Sequence, residues 1–280
     1  MTSQTSLVRL DREHQREVLF RDLAARDNRA RREAEAEGSP AERERRLTLL
    51  FLLPPTQASD VAVRRDSAFY LARLRTAGAR DVLIRALGDP DPDRAEIAAA
   101  ALGWSDDPLA TQELAVRLDE DADPAVRRLA ALGLTLAAPN VGAAAALTQA
   151  AKNERDLDVR LRALDGLAHC DLASDPAARK VLIELLNSDT EDLALRRGVI
   201  RTLRAHHTLT RRLPVELQDA LRRLLSATQG PLLIDGIGLL GQVATDPAPL
   251  EDAQLKSSNP EIRAALQAAL VSVRNRIAPR

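Results

Sequence analysis

The feature that most constrains this chain is a short stretch, 123–134, that returns in variant form along most of the sequence. Asp123 is a helix-capping residue, Pro124 suits the first helical position, and Val126, Ala130 and Leu134 fall four apart on one apolar face. With the cap placed at Asp60, Asp91, Asp123, Asp156, Asp192, Gln229 and Asn259, the intervals are 31, 32, 33, 36, 37 and 30 residues, as expected where only loops vary. Eleven residues after each cap stands a leucine: Leu71, Leu102, Leu134, Leu167, Leu203, Leu240 and Leu270. A segment this short cannot bury its apolar face alone, so consecutive copies must stack.

Each copy follows another amphipathic stretch, at 43–53, 80–87, 109–118, 141–151, 176–186, 214–225 and 247–255, so the repeating unit is a helical hairpin. Composition agrees: aromatics are only 2% of the chain against 45% hydrophobic residues, so Leu, Ala, Val and Ile must fill a core of closely packed helices. Segment 1–38 differs, with acids and arginines in near balance. It reads as one exposed helix over 11–37, supported by the pairs Glu17/Arg21, Asp22/Arg26 and Asp27/Arg31. Its apolar patch is Val18, Leu19, Phe20 and Leu23; Gly38 ends it, and Ser39, Pro40 and Glu42 form a capping box for the next helix. The organisation is thus a charged helical segment at 1–38 and a repeat array over 39–280.

In five copies the third and fourth residues after the cap are apolar then arginine: Val63 and Arg64, Val126 and Arg127, Val159 and Arg160, Leu195 and Arg196, Ile262 and Arg263. The cap, this apolar residue with arginine, and the following alanine and leucine string resemble HEAT-like repeats over 43–270, specifically the short variety also found in phycobilin lyase subunits. The resemblance implies an all-α, right-handed α-solenoid of about seven hairpins. It implies nothing about activity, since such arrays serve many purposes and no lyase residue set is matched. The arginines are expected to form a ladder with the capping carboxylates rather than an anion-binding row.

The formal net charge of −1 gives no global field for nucleic acid or an anionic membrane. Cys170, the single cysteine, excludes an internal disulfide and a cysteine-based zinc cluster and is compatible with a reducing compartment. No signal-peptide pattern is present, and the longest aliphatic run, 47–53, is too short to span a bilayer, so the chain reads as cytoplasmic without a membrane partner.

Candidate chemistry lies where copies depart from the repeat. In the fifth copy, 100° per residue places Leu195, Val199 and Leu203 inward and Arg197, Arg201 and Arg204 on the opposite stripe. The basic run continues through His206, His207, Arg211 and Arg212, with no acid between Arg196 and Arg212. These seven residues are the candidate partner or anion surface. The same stripe in other copies, including Phe69, Leu132 and Leu161, is too apolar for a face meant only for water; a bound helix, a partner protein, the chain's own amino-terminal helix through Phe20 and Leu23, or burial by neighbouring hairpins would each account for it. The sixth copy carries Gly236, Gly238 and Gly241 with Asp235, which points to close helix approach ahead of the other reading, a ligand pressed against the bare backbone.

No catalytic, cofactor or metal site is expected. Cys170 and His206 sit one helix layer apart, about 8–10 Å, too far to share an ion. The HEAT-like deoxyhypusine hydroxylases hold iron with His and Glu pairs that this chain lacks. Trp104 with Asp106 and Asp107 is only faintly similar to HEAT-like DNA glycosylases, whose basic, aromatic-lined groove is missing here. The expectation is a non-catalytic protein-interaction scaffold; anion or nucleic-acid binding through 197–212 is the alternative, and an enzyme of unknown chemistry ranks third.

Overall fold

The computed structural model describes residues 5–26, 28–54, 58–138, 140–227 and 230–278, which form helices and no strand. Two units are present, Met1–Gly166 and Leu167–Arg280. In the first, α1 (Thr5–Ala25) and α2 (Arg29–Glu35) precede hairpins α3 (Pro40–Leu52) with α4 (Ala58–Leu74), and α5 (Ala77–Arg85) with α6 (Pro92–Trp104). Hairpins α7 (Pro108–Glu120) with α8 (Pro124–Ala137), and α9 (Val141–Asn153) with α10 (Leu157–Leu167), follow. The second unit holds α11 (Pro176–Asn187) with α12 (Leu193–Thr210), α13 (Val215–Ala227) with α14 (Pro231–Val243), and α15 (Ala248–Lys256) with α16 (Pro260–Ile277). Among the described residues no helix is long and apolar enough to cross a membrane.

The anchor leucines are the spine of this arrangement: Leu71, Leu102, Leu134, Leu167, Leu203, Leu240 and Leu270 are all buried. Caps set each second helix in register with its anchor. The carboxylates of Asp91, Asp123, Asp156 and Asp192 and the amide oxygen of Asn259 accept first-turn N–H groups of their helices. Asp60 is a correction, since it lies inside α4, whose first residue is Ala58. The expected cap at Gln229 lies outside the described residues. The capping box is present, with Glu42 N–H donating to Ser39 Oγ (3.3 Å) and Ser39 N–H donating to Glu42 Oε2 (2.7 Å). These hydrogen bonds hold the Glu42 carboxyl below its usual range. Asp123→Ala is expected to lower stability by about 1 kcal/mol in urea titration, the loss of one cap.

The repeat arginines do more than pair with caps. Each of four reaches back to carbonyls at the carboxyl end of its own hairpin's first helix: Arg64 to Leu53, Arg127 to Asp121 and Ala122, Arg160 to Ala151 and Lys152, and Arg196 to Leu186. Those carbonyls lack helical donors and sit at the negative end of the helix dipole, so a guanidinium there closes the hairpin. Bonds to the following repeat come from Arg64 to the Asp91 cap (2.6 Å) and from Arg127 to Glu154 (2.8 and 3.0 Å). Burial alone would raise the carboxyls of Asp91 and Glu154, but the arginine and backbone donors outweigh it and hold both low. The expected Asp–Arg ladder is therefore a mixture of carboxylate and carbonyl contacts.

The amino-terminal segment is two helices rather than one. α1 ends at Ala25, and Asn28 caps α2 by accepting Arg31 N–H. The cause lies forty residues away: buried Asp66 on α4 takes Arg26 (2.7 Å) and Asn28 (2.5 Å), pinning the joint. Arg26 is thus drawn from its expected partner Asp22 to Asp66, whereas Asp27 lies outside the described residues. Docking continues through buried Leu23, whose carbonyl accepts from Tyr70 Oη, and through Phe20, which lies 5.1 Å beneath the Arg73 guanidinium. Arg16 pairs with Asp106 in the α6–α7 turn (2.6 Å). The chain's own amino terminus therefore covers part of the second-helix side of the first unit. Phe69 is buried, and Leu132 and Leu161 are half-buried.

Candidate functional site

The amphipathic pattern of α12 divides its residues cleanly. Leu195, Gly198, Val199, Ile200, Thr202, Leu203 and His206 are buried, whereas Arg197, Arg201 and Arg204 are exposed along the outer side. At the carboxyl end Arg211 takes the left-handed conformation (φ 58°), its N–H reaching His207 O at 2.7 Å, and both Arg211 and Arg212 are exposed. Five of the seven candidate residues thus lie on the surface.

His206 does not, and it is a correction to the expected surface. Its ring is buried and Nδ1 lies 3.1 Å from Ala168 O, an acceptor, so Nδ1 carries the proton. The signal was available: His206 falls seven residues after Val199 and three after Leu203, on the inward stripe. Burial lowers its pKa against the opposing bond to Ala168. His207 is half-buried with Nδ1 unbonded; its pKa is also lowered by burial, and the Arg276 and Arg211 cations add to that against a bond to the Arg212 backbone. A histidine held neutral in the fold contributes fully above its unfolded pKa of about 6.5; as pH falls through that value the unfolded chain gains the proton first, and stability drops. His206→Gln, which keeps a donor for Ala168, is expected to reduce the loss of urea stability between pH 7 and pH 5.

The acid missing from α12 is supplied by α14. Asp235 Oδ2 accepts from Arg197 Nε at 2.6 Å, and the Asp235 carbonyl accepts from Arg204 Nη2 at 3.3 Å. Arg197 and Arg204 therefore lean across the seam between α12 and α14. The sequence hinted at this only by setting one carboxylate in an otherwise apolar helix. Beside the seam the glycines differ. A Cβ on Gly241 would meet the Ala269 Cα and Cβ on α16 at 2.9 Å, and one on Gly236 would meet Leu224 Cδ1 at 3.1 Å, so helix approach dictates both. Gly238 is exposed, and a Cβ there would meet only Arg204 Nη2, at 3.6 Å, an ordinary contact.

A cleft of about 760 Å³ between α13 and α15 is lined by Arg222, Asp252, Lys256 and Asn259 over an apolar floor. There Arg222 pairs with Asp219, Lys256 with Asp252, and Asn259 caps α16. Cys170 is a buried thiol outside any disulfide, and among the described residues no group of three or more His, Cys, Asp and Glu is placed to hold a metal ion.

Comparison with known proteins adds to this geometry. Residues 49–135 match the family model for HEAT repeats. Over that stretch the repeats are HEAT-like. No curated protein matches the chain. Similar solved structures include human deoxyhypusine hydroxylase in complex with glycerol, 19% identical over 92% of this chain and 98% of that one, TM-score 0.38. The complex of CpcE and CpcF of phycocyanin lyase from Nostoc is 19% identical over 83% of each chain, TM-score 0.34. The S. pombe condensin Cnd3–Cnd2 subcomplex is 14% identical over 98% of this chain and 37% of that one, TM-score 0.48. At these identities and scores, the chemistry of the HEAT-like hairpins has to be argued from their own residues.

Proposed function

We propose that this protein is a non-catalytic protein-interaction scaffold whose partner docks on the α12–α14 side of the second unit. The observation that supports it is the exposed row of Arg197, Arg201 and Arg204 beside the uncovered backbone of Gly238. Catalysis needs convergent titratable groups around a reacting centre. Here His206 is a core residue whose ring is bonded to the Ala168 carbonyl, and among the described residues no second titratable group converges on it from the exposed arginine row. A nucleic-acid polyanion fits less well, because the row is three arginines long and the whole chain is close to neutral.

Affinity capture from the native host tests this, using the wild-type chain and Arg201→Glu with Arg204→Glu as baits, with nuclease treatment and at two salt concentrations. The expected result is a protein retained by the wild type and lost from the variant. Recovery of nucleic acid alone, or of no macromolecule, would overturn the reading.

A further inference from the structure

We infer that the occupant of this surface is an acidic α-helix, laid alongside α12 with its backbone passing over Gly238; this rests on the scaffold reading above. Two independent observations point to it. The first is spacing. Arg197, Arg201 and Arg204 follow one another at i, i+4 and i+7, so they rise by about 6.0 and then 4.5 Å along the helix axis. Carboxylates at i, i+4 and i+7 of a second helix repeat that interval. An extended chain presents alternate side chains every ~6.6–6.8 Å and is out of step by the third arginine. Arginine's planar fork suits a row of carboxylates, and the α12 row holds no acid of its own.

The second observation is Gly238. A glycine inside a helix costs about 1 kcal/mol relative to alanine. Packing explains that cost at Gly236 and Gly241 but not at Gly238, where a Cβ would fit beside the Arg204 guanidinium. What the missing side chain permits is close approach of another backbone at that point. An incoming helix there would meet Arg204 at the same place. Asp235, which anchors Arg197 and Arg204 against α14, holds the two guanidinium groups in position beforehand.

The test is fluorescence anisotropy with the full chain and three labelled probes of equal charge. One is an alanine-rich helical peptide of about 20 residues with glutamates repeating at i, i+4 and i+7. The second has the same composition with glutamates at alternate positions, and the third is a single-stranded DNA oligonucleotide. The helical peptide is expected to bind, about tenfold or more weaker to Arg201→Glu with Arg204→Glu. Gly238→Leu should weaken it comparably without altering charge, and Gly238→Ala by a smaller factor. Circular dichroism should show both glycine variants folded.

Absence of binding to the helical peptide would overturn the inference. So would equal or tighter binding of either other probe, or full affinity in Gly238→Leu. If capture from the host still retains a protein through the arginines while the helical peptide fails, the helix assignment falls and the scaffold reading stands. If both fail, both fall.

Discussion

Arg64→Leu is expected to lower stability by about 2–4 kcal/mol, read as a reduced urea midpoint with the slope unchanged. Arg64 is the most enclosed of the repeat arginines, its side chain 3% exposed, and it spends its donors on two structures at once. One is the Leu53 carbonyl that ends α3; the other is the Asp91 carboxylate that caps α6 in the next repeat. Leucine would leave both acceptors short of a donor inside the fold. Asp91 is 33% exposed and keeps its backbone donors, which is why the figure stays below that for a fully buried pair.

The pH dependence has a definite sign. Asp91 is held below its ordinary pKa in the fold, so its contribution is present above the unfolded value and is lost as pH falls through the folded one. The difference between wild type and Arg64→Leu should therefore narrow in acid, as Asp91 is protonated and only the Leu53 carbonyl remains. Asp91→Asn alone should reproduce part of the loss, and the double variant should lose less than the sum. Arg196 gives a contrast within the same protein. It bonds the Leu186 carbonyl at 3.0 Å, while the carboxylate it pairs with, Asp189, lies 3.7 Å away and is 92% exposed. Arg196→Leu should accordingly cost about 1 kcal/mol.

How far the chain could be read from sequence follows from the range of the forces involved. The leucine anchors, the second-helix caps at Asp91, Asp123, Asp156, Asp192 and Asn259 and the hairpin boundaries were legible because each is fixed by spacing within a few turns of helix. The function of the repeat arginines was half legible. Their position after the cap is local, but whether a guanidinium meets a carboxylate or a carbonyl depends on the inter-helix turn, and those turns differ from copy to copy. The break between α1 and α2 was illegible for a stronger reason. Acid-first pairs at i and i+4 favour a continuous helix by only about 0.2–0.5 kcal/mol each. The buried carboxylate of Asp66 recruits both Arg26 and Asn28 from far along the chain and overrides them. At the candidate site, the arginine stripe was readable from period alone. The Asp235 counter-charge was not, because nothing in the α12 sequence announces which residue of α14 faces it.

The glycines of α14 carry this argument to its sharpest test, since one substitution three residues apart should change stability in opposite directions. Gly241→Leu is expected to destabilise by about 3 kcal/mol or more, at the upper end of overpacking, because the obstacle is the α16 backbone at Ala269 rather than a side chain that can swing away. Separating α14 from α16 there would also disturb Arg276, which bonds the Gly241 and Ala244 carbonyls and closes the end of α14. Gly238→Leu meets no such obstacle. It replaces the poorest non-proline helix former with one of the best at an exposed site and should raise stability by up to about 1 kcal/mol. Thermal unfolding of the two variants side by side decides whether packing alone explains the glycines. If Gly238→Leu proved as damaging as Gly241→Leu, a hidden packing demand would account for both, and the exposed backbone would lose its significance. If it is stabilising, the chain keeps a glycine at Gly238 against its own stability, as a backbone left open to an approaching helix requires.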